Sequence, residues 1–202
     1  MQEESDSPQN HRSNKARTEQ TRGALIAAAR ALFVERGYAD TSTPEIVRAA
    51  GVTRGALYHH FEDKRDLFRA VVAAEAGDVA AAIEAALPPG LSARDGLIAG
   101  SSAYFDAMTV PGRTRLLLIE GPAVLGHAEL SGIEADTSEG SLATGIAAAF
   151  GNAVPADMSL PVLAALLSAA FDRAALAIAQ GADAEAYKRT MAALLDRVVG
   201  AD

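Results

Sequence analysis

Between Thr53 and Lys64 the chain gathers side chains suited to an anionic polymer. Arg54 carries a guanidinium that can pair in a two-pronged way with the edge of guanine. Gly55 and Ala56 beside it are small enough to let a backbone approach base edges closely. Tyr58, His60 and Lys64 suit phosphate oxygens, contacts that fix position rather than sequence. Lys64 also stands where a helix is expected to start, and the free amides of a helix N-terminus attract phosphate. With Thr53 and His59, these residues would form one face only if a helix presented them together.

The neighbouring sequence supplies that helix and its support. Apolar residues Leu25, Ile26, Ala29, Leu32 and Phe33 recur at helical spacing within Thr18–Arg36, and Gly37 is a C-terminal stop. Ser42 with Glu45 three positions on reads as a capping box, and Pro44 falls in the first turn, where its missing N–H costs little. A short helix is therefore expected over Thr43–Ala50. Gly51-Val52-Thr53 breaks it, with Val52 as a small apolar plug, and a second short helix follows over Arg54–His60. Asp63 can cap the next, whose apolar face runs from Leu67 through Val79 to Leu87 before Pro88-Pro89-Gly90. Two short helices joined at a glycine and flanked by amphipathic helices make a helix-turn-helix pattern. The first packs inward through Ile46, Val47 and Ala50. The second buries Leu57 and Phe61 and turns its other face toward a major groove.

Five further helices are expected, over Ser92–Val110, Arg113–Val124, His127–Phe150, Leu160–Gln180 and Ala184–Val199, with Gly132 and Gly140 able to bend or break the third. No segment alternates with period two, so the expected fold is all-α, with about nine helices. Residues 1–17 read as a mobile tail, 18–63 as the helix-turn-helix domain and 64–202 as a second helical domain.

Charge is divided along the same line. The net charge is −8, yet Arg12–Arg69 holds eleven Lys/Arg against seven Asp/Glu, while Ala70–Asp202 holds seven against sixteen. Such asymmetry suggests that one part meets a polyanion and the other does not.

Gly37-Tyr38, Thr41-Ser42, Ile46, the run Ala50-Gly51-Val52-Thr53-Arg54-Gly55-Ala56-Leu57-Tyr58-His59-His60-Phe61, and then Lys64, Leu67 and Phe68 closely resemble the N-terminal signature of the tetracycline-repressor (TetR) family of regulators. The likeness covers about Thr18 to Val72. It implies an all-helical homodimer that binds double-stranded DNA at a palindromic operator and is released by a small-molecule effector. It implies DNA-facing positions for Thr43, Arg54, Gly55, Ala56, Tyr58, His59, His60 and Lys64. Pro44 departs from the polar residue often found at its position. Gly121-Pro122-Ala123-Val124-Leu125-Gly126 resembles a run in one subgroup of the family where a large aromatic often follows, and His127 departs from it.

The second domain then has two expected tasks. For dimerisation, Leu163, Leu166, Leu167, Ala170, Phe171, Ala174 and Ile178 form a broad apolar face on one helix; Tyr187, Met191, Leu194, Leu195 and Val198 form another on the last. For ligand binding, which favours mostly apolar pockets with a few placed polar groups, the candidates are Tyr104, Phe105, Met108 and Leu117, with Glu120, His127, Phe150 and Phe171.

Other functions lack residues to support them. There is no cysteine, and the four histidines form no His-x3-His pair, so neither a disulfide framework nor a metal site is expected. No cofactor is expected. Gly-x-Ser-x-Gly, the phosphate-binding Gly-Lys-Ser/Thr loop and the dinucleotide glycine turn are absent, which argues against an enzyme. No apolar stretch is expected to reach bilayer-spanning length, and the polar start lacks a signal-peptide core, so the expected location is the cytoplasm. The alternative reading is a helical ligand-binding or adaptor protein without specific DNA recognition.

Overall fold

The computed structural model describes residues 8–135 and 137–200. Every regular element among them is helical. The chain divides into two compact units, one ending at Val71 and the next beginning at Val72, so the boundary falls inside a helix.

In the first unit, α1 (Pro8–Arg36), α2 (Thr43–Ala49), α3 (Arg54–His60) and the start of α4 (Lys64–Ala85) enclose one core. Leu25, Ala29 and Phe33 from α1 meet Ile46, Leu57, Leu67 and Phe68, all fully buried. Phe33, Tyr38 and Phe68 form an aromatic trio with centroids 4.9–5.7 Å apart, two of the pairs edge-on. α1 starts ten residues before the expected Thr18, so the part of the expected tail from Pro8 to Arg17 is helix. Pro8 suits a first helical turn, and no proline or interior glycine interrupts residues 9–17. Extending a helix already anchored by Leu25, Ala29 and Phe33 also avoids the cost of nucleation. The remainder of that tail, residues 1–7, lies outside the described residues.

The second unit holds the rest of α4, then α5 (Ala93–Met108), α6 (Arg113–Arg115), a π-helical turn (Leu116–Glu120), α7 (Gly121–Leu125), α8 (His127–Ala135), α9 (Ser138–Phe150), α10 (Leu160–Ala179) and α11 (Ala184–Val199). α5 packs on both α9 and α11, and α10 packs on α9. Their core joins Leu97, Phe105, Ile146, Leu167, Phe171 and Leu195. The stretch expected as one helix from His127 to Phe150 is two, α8 and α9. A Cβ at Gly140 would meet the Ala135 carbonyl oxygen, so the backbone passes itself closely just after the break.

α10 corrects one expectation. It has 20 residues and is apolar enough to cross a membrane by length and composition alone. Asp172 and Arg173 interrupt its apolar run and hid that length in the sequence. Its packing gives another account of the apolarity, since Ala164, Leu167, Phe171, Ala174 and Ala175 are buried within the unit.

Candidate functional site

The helix-turn-helix is held by local hydrogen bonds that its residue types dictate. Gly51 adopts φ +66°, the left-handed conformation that a side chain would strain. The chain reverses there, and the Val52 amide donates back to the Val47 carbonyl at 3.1 Å. The Thr53 hydroxyl accepts from the Ala56 amide at 3.2 Å and so caps α3, a task its sequence position conceals behind its outward location. At the start of α2, the Ser42 amide and hydroxyl both donate to the Glu45 carboxylate, at 3.0 and 2.6 Å. Arg36 reaches the other Glu45 oxygen at 2.7 Å. The Ser42 hydroxyl and amide, then Arg36, hold the Glu45 carboxyl below its ordinary pKa.

α3 buries Leu57 and leaves the opposite side open. Thr53, Arg54, Gly55, Tyr58 and His59 are exposed; Ala56, His60 and Thr43 are half-buried. The Arg54 guanidinium rests 5.4 Å from the Tyr58 ring centroid, which orients it along the helix surface. A Cβ at Gly55 would meet only the Thr53 hydroxyl oxygen, at 3.9 Å, so the helix backbone is bare at that point. The His59 and His60 rings sit edge to face, 5.2 Å apart. This face can donate hydrogen bonds from a guanidinium, a phenol and imidazoles while letting a groove close on its backbone.

Lys64 is placed differently from the expected phosphate contact. Its ammonium donates to the carbonyls of Tyr38 and Thr41, at 2.8 and 3.0 Å, and lies 4.1 Å from the Tyr38 ring centroid. Two of its three N–H bonds thus tie α4 to the loop after α1. The N-terminus of α4 is capped by Asp63, which accepts from the Asp66 amide at 2.8 Å; Asp66 in turn accepts from the Glu62 amide at 3.1 Å.

A cavity of about 220 Å³ lies within the second unit, among residues of α4, α5, α8, α9 and α10. Of the expected ligand contacts, Tyr104 and Phe171 line it. Phe105 and Met108 border a separate hollow of about 360 Å³. The other four line neither. Leu117 and Phe150 are buried in packing, His127 is exposed, and Glu120 pairs with Arg115 at 2.7 Å. Sequence reasoning missed Glu134 and Asp172, both in the cavity wall. Asp172 had one signal, a charge inside an otherwise apolar helix. The Tyr104 hydroxyl donates to Asp172 at 2.8 Å. Burial, then the Asp172 charge and this hydrogen bond, then the Glu134 charge, push the Tyr104 phenol well above its ordinary pKa.

The expected dimer faces split in two. Leu167, Phe171, Ala174, Met191 and Leu195 are buried in the chain's own core. Leu163, Ala170, Ile178 and Val198 are half-buried against that core. Tyr187, Leu194 and Leu166 (66%) are exposed, as is Val162 (58%), which was not anticipated. Periodicity marks a helix as apolar on two sides without saying which side faces its own chain.

The first unit thus defines a helix-turn-helix protein. The pattern of bacterial regulatory proteins of the tetR family matches residues 25–71, and that of the tetracyclin repressor-like C-terminal domain matches residues 94–201. The transcriptional repressor BepR of Brucella suis is 48% identical over 61 residues, 30% of this chain and 29% of that protein. The transcriptional activator FasR of Mycolicibacterium smegmatis is 35% identical over 97 residues, 48% of this chain and 44% of that protein. These matches span less than half the length of either relative. A crystal structure of a TetR-family regulator from Pectobacterium atrosepticum is 34% identical, covers 91% of this chain and 94% of that one, and superposes with a TM-score of 0.68. The chain belongs to the tetR family of bacterial regulatory proteins.

Proposed function

We propose that the chain is a ligand-responsive transcriptional regulator that binds double-stranded DNA as a homodimer and works in the cytoplasm. The observation that carries this reading is the open face of α3, where exposed Arg54, Gly55, Tyr58 and His59 stand on a fully buried Leu57. Arg54 reads a base edge; Tyr58, His59 and His60 hold the backbone. Thr43 lies near the start of α2 as a further contact, and Lys64 serves mainly by fixing the loop before α2. The exposed faces of α10 and α11 supply the dimer contact. A dimer of this kind sets two recognition helices about one DNA turn apart on a palindromic operator. A small molecule bound in the second unit, with unequal affinity for two conformations, would shift DNA occupancy. Repression is the direction we favour, and the likeness to both a repressor and an activator makes it a matter for transcription assays.

Titration of a labelled duplex with purified protein over rising salt tests the reading. Backbone neutralisation predicts affinity that falls linearly on a log–log salt plot. No binding to any duplex at low salt would favour the adaptor reading instead.

A further inference from the structure

Arg22 breaks the pattern of α1 at the point where that helix passes the end of α3. Leu25, Ala29 and Phe33 form the buried stripe of α1. Three positions before Leu25 the stripe reaches Arg22 where another apolar residue would continue it. Residues three and four apart share a helix face, so Arg22 points the same way as the stripe, one turn beyond its end. Its guanidinium carbon lies 5.4 Å from the centroid of the Phe61 ring. Phe61 is buried and follows directly after α3. An arginine stem can cover an apolar ring while its head stays in water, and Arg22 as a residue is exposed. Among the described residues no carboxylate pairs with it, whereas Arg36 at the other end of α1 pairs with Glu35 and Glu45.

A ring-held arginine thus stands at each end of α3. Arg54 at its start rests on Tyr58. Arg22 rests on Phe61 just past its finish, where the His60 and Phe61 ring centroids are 6.4 Å apart. At 1.5 Å per residue the two ends lie about 10 Å apart, close to the width of a major groove, about 12 Å. A recognition helix sets its N-terminal residues against base edges. Its C-terminal end then lies toward the rim of the groove, where the nearest groups are phosphates. Resting on the reading of α3 as the recognition helix, we propose that Arg22 is a further DNA contact, made from α1: its guanidinium, held on the Phe61 ring, takes a backbone phosphate at the rim of the groove that α3 enters. A guanidinium fork matches phosphate oxygens, and stacking on a ring limits the freedom it loses on binding. The contact is blind to sequence. Arg54 selects bases, while Arg22 fixes the seat of the helix on the duplex.

Cover for Phe61 alone would also explain the stacking, and charge separates the two roles. The full-length protein is titrated into a labelled duplex of mixed sequence, and into the duplex it captures from genomic fragments, over a range of salt. Arg22→Met keeps an apolar stem and a good helix former but removes the charge. It should flatten the log–log salt plot by about 0.9 for each protomer bound, and weaken both duplexes by a similar factor. Arg22→Gln, a second neutral helix former, should give the same slope. Arg22→Lys should restore the slope of the parent, which a purely structural role would not require. Urea unfolding and circular dichroism on each variant show that the helices persist. An unchanged slope in both neutral variants, or a base preference altered by them, would overturn the Arg22 contact while leaving the reading of α3 in place. A parent protein that binds neither duplex would overturn that reading, and the contact with it.

Discussion

A lysine ammonium set 2.8 and 3.0 Å from two backbone carbonyls has most of its hydrogen-bonding capacity committed. Lys64→Met should therefore lower stability by about 1–3 kcal/mol, because the Tyr38 and Thr41 carbonyls lose a charged donor. Urea unfolding measures this, and an unchanged midpoint would mean that water replaces the ammonium freely. Arg54 has the opposite character, exposed and, among the described residues, in contact with the Tyr58 ring. Arg54→Ala should leave the unfolding midpoint in place, cost roughly 1–3 kcal/mol of operator affinity and relax base preference. Competition binding with single-base operator variants reads the loss. At Tyr104 the folded-state pKa is raised, so its contribution to stability is complete below the ordinary tyrosine range and declines as pH climbs through it. A spectrophotometric alkaline titration should show a late tyrosinate component that Tyr104→Phe removes. Residue type alone placed the exposed Arg54 well, since a cation at the start of a short amphipathic helix has little else to do. It could not reveal that Lys64 bonds to carbonyls more than twenty positions earlier, because no local pattern encodes a contact of that range.

At the scale of elements, the helix boundaries of the first unit were legible because they are written in caps. Ser42 with Glu45, the left-handed Gly51, and Asp63 with Asp66 are short-range devices whose residue types dictate their geometry. The Glu45 carboxyl is held below its ordinary pKa, so its capping contribution is present above the normal carboxylate range and is lost as pH falls through the folded value. Far-UV circular dichroism of Glu45→Gln should accordingly be less sensitive to mild acid than that of the parent. The second unit is governed by longer-range contacts and was less legible. Arg113 is buried, bonds to Glu75 at 2.8 Å and to the Ala107 carbonyl at 2.9 Å, and reaches Asp78 at 3.3 Å. In the sequence it is only an arginine after Pro111-Gly112. Arg113→Ala should cost about 3–5 kcal/mol, because it leaves the Glu75 carboxylate buried without its guanidinium. Arg113→Met combined with Glu75→Leu should recover much of that loss, and urea unfolding of both variants checks the pair.

At the scale of the whole molecule, the exposed apolar side chains on α10 and α11 give the homodimer its proposed surface. Leu166 is 66% exposed and Val162 58%, and both project away from the buried Leu167 and Phe171. Leu166→Asp should shift the protein toward monomer in sedimentation equilibrium without loss of helix content, since the replaced side chain supports no core of its own. Weaker operator binding should follow, because two half-sites would no longer be engaged together. The charge division supports the same arrangement, with the basic excess confined to the part that carries α3.

Sequence-specific DNA recognition by α3 can be read out by sequencing genomic fragments captured by the purified protein. A short palindrome with half-sites about one helical turn apart should be enriched, and weakened and blurred when Arg54→Ala is used as bait. Enrichment of no sequence, or of the same palindrome with undiminished strength by Arg54→Ala, would contradict it.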